Sequence, residues 1–131
     1  MVRFVSIVPE GLRYTKEHEW AKLEGNRARI GITDHAQGEL TDVVYVELPK
    51  VGAAVRRGEA LGVVESVKAV SEIYAPVSGQ VIDVNAALEE SPEAVNKDPY
   101  GNGWIVVLEL SDPGELGGLM DAAAYRRHIG A

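Results

Sequence analysis

Runs of valine and isoleucine, broken by Gly, Pro and Asn, recur about every ten residues along this chain, the spacing of short strands in a small β fold. Within the runs apolar and polar positions alternate, as expected of strands with one face in a core. The pattern predicts strands at Trp20–Leu23, Arg27–Ile32, Val43–Leu48, Ala60–Glu65, Glu72–Ala75, Gln80–Val84 and Trp104–Leu110. Turns are cued by Glu24-Gly25-Asn26, Pro49 to Gly52, Arg57-Gly58, Ser78-Gly79 and Asp98 to Gly103. Helical spacing is sparse. Thr33–Leu40 reads as a short helix with Thr33 or Asp34 as N-cap. Ser91–Val95 reads as another, with a capping serine and proline at the first helical position. After Asp112-Pro113 the chain reads as helical, breaks at Gly117-Gly118, and resumes from Asp121 through His128. These elements predict a small sandwich or barrel.

A length of 131 residues suits one domain with a real core, without a metal or disulfide staple. Apolar residues at 46% and charged residues at 25% match the globular average, so a disordered or fibrous chain is not expected. The net charge of −7 disfavours nucleic acid and anionic membrane as partners, and favours basic protein surfaces. Cysteine is absent, which excludes thiolate metal sites and cysteine nucleophiles and fits a reducing compartment. The apolar start, Met1 to Val8, is interrupted by Arg3 and Ser6 and is too short to span a bilayer. It lacks a signal-peptide cleavage pattern. Residues 1–10 are expected to form an arm or strand, residues 11–131 the domain, and the cytoplasm is the expected location.

One internal similarity stands out. Gly58-Glu59-Ala60-Leu61-Gly62-Val63 can be laid on Gly79-Gln80-Val81-Ile82-Asp83-Val84, a turn and an alternating strand in each copy. The match suggests two interlocked halves. Their junction falls at Ser66-Val67-Lys68-Ala69, with Lys68 near the middle of the repeat. Lys68 is a lone cation among small and apolar residues at an expected hairpin tip, where a side chain is presented outward. A lysine used as a Schiff base would need burial to depress its pKa, which a tip does not offer.

Glu65-Ser66-Val67-Lys68-Ala69, followed by Tyr74-Ala75-Pro76-Val77-Ser78-Gly79, resembles a lipoyl attachment hairpin. The wider pattern resembles the H proteins of the glycine cleavage system. It includes Tyr14 to Trp20, Gly31 to Gln37, Asp42 to Pro49, Val95 to Gly101, Gly103-Trp104, Leu119-Met120-Asp121 and Ala124-Tyr125, over about residues 11 to 128. Thr41 stands where the family usually has glycine, and the apolar run Ile105-Val106-Val107-Leu108 follows Trp104 where it often places a lysine.

The resemblance implies a mainly β barrel-sandwich hybrid of the lipoyl/biotinyl-like type, with short helices and a C-terminal helical segment. It implies a carrier without catalysis of its own, bearing lipoic acid in amide linkage to Lys68. The implied partners are the pyridoxal-phosphate-dependent glycine decarboxylase (P protein), which loads the aminomethyl group, and the tetrahydrofolate-dependent aminomethyltransferase (T protein), which unloads it. Dihydrolipoamide dehydrogenase (L protein) then reoxidises the dithiol, and a lipoate ligase or transferase installs the group. Glu19 and Glu72, with Glu17 as a third acid, are expected to contact the loaded arm, and Glu65 to be read by the ligase. Glu19→Ala is expected to leave the unloaded fold intact. Moving the lysine one position is expected to reverse its face, as along a strand.

Two other carriers come into view. A lipoyl relay to other complexes fits the same sequence. A biotinyl carrier domain fits less well, because that family typically has methionine on both sides of its lysine, and Val67 and Ala69 stand here. His18, His35 and His128 show no pair at helical ligand spacing and no cysteine beside them, so no metal site is expected.

Overall fold

A computed structural model describes residues 5–130. Among the described residues, nine strands form two sheets. The larger is built from β1 (Arg13–Tyr14), β2 (Glu19–Glu24), β3 (Arg27–Ile32), β9 (Val106–Leu110), β8 (Gly79–Val84) and β5 (Ala54–Val55), in that spatial order. The smaller places β6 (Ala60–Ser66) between β4 (Val43–Glu47) and β7 (Val70–Tyr74). All pairings are antiparallel. Neither sheet closes on itself, so the architecture is an open sandwich of the expected mainly β type.

The alternation explains the layering. Ala28, Ile30, Val81, Leu108 and Leu110 of the larger sheet and Val43, Val46, Leu61, Val64 and Ile73 of the smaller lie in one buried cluster. Fully burying such a side chain contributes about 1.5–3 kcal/mol, so the core fixes which face of each strand turns inward. A second cluster gathers Val8, Tyr14, Trp20, Ala122 and Tyr125. Trp20 pairs in register with Gly31, where a Cβ would come within 2.8 Å of the indole, so the glycine makes room for the ring.

The internal repeat has a structural counterpart. The β6–β7 register shifts between Ala60 and Gly62, and the β8–β9 register between Val81 and Asp83, so Leu61 and Ile82 sit at matching irregularities. The matched glycines differ in use. Gly58 has φ +89° in a turn, whereas a Cβ on Gly79 would strike the Glu109 carbonyl of the neighbouring strand.

The helices depart from expectation in detail. α1 (Asp34–Leu40) starts as predicted, with the Thr33 hydroxyl accepting from the Ala36 N–H. α2 is Ala94–Lys97 and begins two residues after Pro92, the predicted first helical position. There the Ser91 and Pro92 carbonyls accept i→i+3 bonds from Ala94 and Val95, which makes a tight turn before the α-helix. The predicted helix after Pro113 is a 3₁₀ segment, Pro113–Gly118, capped by Asp112. α3 (Ala122–Ile129) has Asp121 as its N-cap, as the sequence indicates. A 3₁₀ turn at Ala86–Glu89 and the two-residue strands β1 and β5 were not predicted, being too short to show a period.

Of the expected N-terminal arm, residues 1–4 lie outside the described residues. Residues 5–10 contain no strand, yet they are tied down. The Ile7 N–H donates to Asp34 Oδ2 at 2.8 Å and Arg126 donates to the Val8 carbonyl at 2.8 Å. Tyr14 donates to the Pro9 carbonyl at 2.5 Å.

Candidate functional site

Across the β6–β7 hairpin, Val64 faces Ser71 and Glu65 faces Val70. Beyond that rung the chain turns through Val67-Lys68-Ala69. Ser66 holds the turn with both backbone and side chain. Its N–H donates to the Ala69 carbonyl at 2.8 Å. Its hydroxyl oxygen accepts from the Lys68 N–H at 3.2 Å and the Ala69 N–H at 3.0 Å. Serine hydroxyls stabilise turns in this way by standing in for a backbone acceptor. The Val67 N–H donates to the Asp42 carbonyl at 3.0 Å, bracing the tip against the start of β4. Lys68 is exposed and, among the described residues, makes no ion pair. The backbone under the lysine is therefore fixed while its ammonium is free. Because Lys68 stands in a turn, strand alternation does not set its direction, and the expected face reversal on a one-residue move has no basis. Ser66 does the positioning; its place two residues before the lysine was the signal available in the sequence.

The surroundings of the tip are apolar, with Glu65 and the exposed Asp42 as acids. Tyr45, Glu65 and Val70 share a rung across the three strands of the smaller sheet. Val67 and Val70 are exposed. Glu65 thus lies beside Lys68 on the outer surface, flanked by side chains that a protein could cover.

A cleft of about 130 Å³ opens along the same hairpin, walled by Glu17, His18, Glu19, Glu39, Ser71 and Glu72 over Ile32, Val64 and Ile73. It brings together the three acids singled out from the sequence. Glu72 is exposed on β7, four residues from Lys68 and therefore no more than about 13 Å away along the chain. That span is within reach of a lysine lengthened by an octanoyl-sized acyl chain. The Tyr74 phenol is held above its ordinary value, chiefly by its hydrogen bond to the Glu72 carboxylate.

Glu19 is not the free surface acid that the expected fold-neutral Glu19→Ala requires. It is 2% exposed. Its Oε1 accepts from the Thr15 hydroxyl at 2.5 Å and its Oε2 from the Tyr74 N–H at 3.2 Å. Burial raises its pKa, and the Thr15 and Tyr74 hydrogen bonds oppose that rise. Glu19 therefore joins the Thr15 turn to β7 as well as walling the cleft.

The histidines, unremarkable in sequence, gather in space. The rings of His18 and His35 are 4.7 Å apart and that of His128 is 5.8 Å from His18. His18 Nδ1 lies 2.8 Å from the Tyr125 hydroxyl. Burial, and then the neighbouring His35, lower its pKa and favour the neutral ring.

The two-sheet domain, with an exposed lysine on a pinned hairpin, has a fold of the lipoyl-domain class. The family model described as Glycine cleavage H-protein matches residues 12–130. A glycine cleavage system H protein of Anaeromyxobacter sp. (strain K) is 58% identical over 122 residues, covering 93% of this chain and 95% of the relative. That of Symbiobacterium thermophilum is 59% identical over 118 residues, 90% of this chain and 92% of the relative. The crystal structure of a glycine cleavage system H protein from Mycobacterium marinum superposes with a TM-score of 0.87 at 39% identity, covering 95% of this chain and all of that one. The chain belongs to the glycine cleavage H-protein family. It is a lipoyl carrier of the glycine cleavage system and not an enzyme. Among the described residues no helix is long and apolar enough to cross a membrane.

Proposed function

We propose that Lys68 is the lipoyl attachment residue, and that its arm serves glycine decarboxylase, aminomethyltransferase and dihydrolipoamide dehydrogenase in turn, in the cytoplasm. The observation that carries this reading is the exposed Lys68 ammonium on a backbone held by Ser66. The residues fit the group: the amine is unpaired among the described residues, and the cleft beside the hairpin is apolar at its floor and acidic at its wall. When bound, lipoate supplies a redox-active disulfide whose sulfur can carry an aminomethyl group. The chain's own part is positional. Ser66 fixes where the tether starts, and tethering replaces diffusion with a high local concentration at each docked partner.

Glu72 and Glu17 present carboxylates toward the cleft for an ammonium cargo, and Glu19 closes its wall. A charge-assisted hydrogen bond there is stronger than a neutral one. At an exposed acid such as Glu72 it contributes only about 1 kcal/mol, so cargo is held reversibly. The lipoate ligase or transferase reads the outer rung through Glu65, with Tyr45, Val67 and Val70 as the apolar surround.

Lipoylation in vitro followed by intact mass and peptide mapping tests the attachment site. A single lipoyl increment on the Lys68 peptide is expected, and modification at Lys16, Lys22, Lys50 or Lys97 instead would overturn the reading. Glycine–bicarbonate exchange with the partner enzymes separates the cleavage carrier from a relay that only passes lipoyl groups on.

A further inference from the structure

We propose that His18, His35 and Glu39 form a binding site for a divalent transition metal ion of the zinc class. One ligand atom from each of the three lies within 4.8 Å of the others. Two elements bring them together. His35 and Glu39 are four apart on α1, hence on one helix face, with His35 Nε2 3.3 Å from Glu39 Oε1. The β2–β3 pairing sets Glu19 opposite Ile32, so His18 stands beside the entry to that helix. Its carbonyl accepts from the Thr33 N–H at 3.0 Å.

His18 is also held in a costly backbone conformation. Its φ is +73°, which a residue with a Cβ seldom adopts. Such strain costs on the order of 1–3 kcal/mol and is found where a side chain must be aimed. The aim is secured from behind. Nδ1 is engaged by the Tyr125 hydroxyl, which lies 2.8 Å from Thr33 Oγ1. This leaves Nε2 as the nitrogen open to a ligand. A histidine braced through its other nitrogen is the usual outer-shell arrangement of a metal-binding imidazole.

Tetrahedral zinc with bonds of about 2.0–2.1 Å would need its donor atoms about 3.3 Å apart. The cluster must contract by an ångström or so. His35 Nε2 and Glu39 Oε1 already stand at that spacing, 3.3 Å apart, so closure is made by swinging the His35 ring and the 65% accessible Glu39 side chain together toward His18. Two imidazoles and one carboxylate suit Zn²⁺, Cu²⁺, Ni²⁺ or Co²⁺. They do not suit Mg²⁺ or Ca²⁺, which prefer all-oxygen shells. His128 lies outside the set of three whose ligand atoms come within 4.8 Å of one another.

The test uses the unlipoylated full chain without a histidine tag, so its outcome is independent of the fate of Lys68. Calorimetric titration with Zn²⁺ should give one site per chain, and Co²⁺ should give the intense visible bands of a low-coordinate complex. His35→Ala and Glu39→Gln, both on α1, should each weaken Zn²⁺ binding about tenfold or more while leaving circular dichroism unchanged. His128→Ala should bind Zn²⁺ like wild type, and excess Mg²⁺ should not compete. No saturable binding at millimolar Zn²⁺, or affinity unchanged in both α1 variants, would overturn the proposal.

Discussion

The hairpin tip and the aromatic cluster are built on opposite plans. At the tip, four of the five hydrogen bonds around Lys68 join Ser66 to residues within three positions, and only the Val67–Asp42 brace reaches further. In the cluster the chain is gathered from everywhere. Tyr14 and Tyr125 stack with centroids 4.6 Å apart, and the Trp20 indole donates to the Pro99 carbonyl at 3.0 Å. Tyr100 donates to the Ile7 carbonyl at 2.6 Å and accepts from the Asp34 N–H at 3.0 Å. Burial pushes the Tyr100 phenol up to about 12 and raises those of Tyr14 and Tyr125 as well. The difference teaches where each kind of damage should appear. The cluster carries stability and says little about chemistry. The tip carries the proposed attachment chemistry and contributes little to stability.

The sharpest break in the comparison is Trp20→Ala. It removes a side chain that is 1% exposed and strands the Pro99 carbonyl. We expect a loss of about 3–5 kcal/mol in urea unfolding, the range for large aromatic truncations. The folded fraction should still be lipoylated, because nothing at the tip has changed. Failure of the folded fraction to be modified would show that the two regions are coupled.

Glu19→Ala comes next, and it tests the boundary between the regions. The substitution leaves the Thr15 hydroxyl and the Tyr74 N–H without their acceptor. The expected cost is about 1–3 kcal/mol. Glu19→Gln should recover part of it, since one amide oxygen can still accept. Spontaneous release of the aminomethyl group from the loaded carrier should speed up in both variants and in Glu72→Ala, and only Glu72→Ala should do so without a stability change. Equal release rates in Glu72→Ala and wild type would remove the exposed acid from the arm's binding cleft.

Legibility followed the same division. The strands with clear alternation, such as Arg27–Ile32, were readable because one face is buried and the period is short. The hairpin and its lysine were readable because their determinants are contiguous. The structural role of Glu19 was not, because one of its two hydrogen-bond partners, the Tyr74 N–H, is 55 positions away. The histidine cluster was hidden for a similar reason. His35 and Glu39 do have helical ligand spacing, but only a search that admits carboxylates would find it, and His18 joins through strand pairing. The late start of α2 was missed because Ser91-Pro92 is an equally good opening for a tight turn.

Ser66→Ala separates shape from stability at the tip. The Lys68 and Ala69 N–H groups lose the hydroxyl acceptor, but both residues are exposed and water can replace it. A cost of about 0.5–1 kcal/mol is expected, at the low end for a hydrogen bond. The rate of lipoylation should fall further than that figure suggests, because the ligase would meet an ensemble of tip conformations. Unchanged modification kinetics would mean that accessibility of the amine is sufficient.

The smallest expected effect on stability belongs to the residue proposed to carry the lipoyl group. Lys68→Arg replaces one exposed cation with another on a turn whose bonds come from backbone groups and Ser66. The net charge is unchanged, and no ion pair among the described residues is lost. Thermal and urea unfolding should therefore stay within about 0.5 kcal/mol of wild type, the ordinary range for surface substitutions. Lipoylation should nonetheless be abolished, because the guanidinium stays protonated and delocalised and cannot act as the amine nucleophile in amide formation. The variant should bind the partner enzymes through the same surface and compete with the lipoylated wild type, lowering glycine–bicarbonate exchange without carrying any cargo. Retained modification in Lys68→Arg, seen by intact mass, would place the tether on another lysine and remove the functional half of the contrast between tip and cluster.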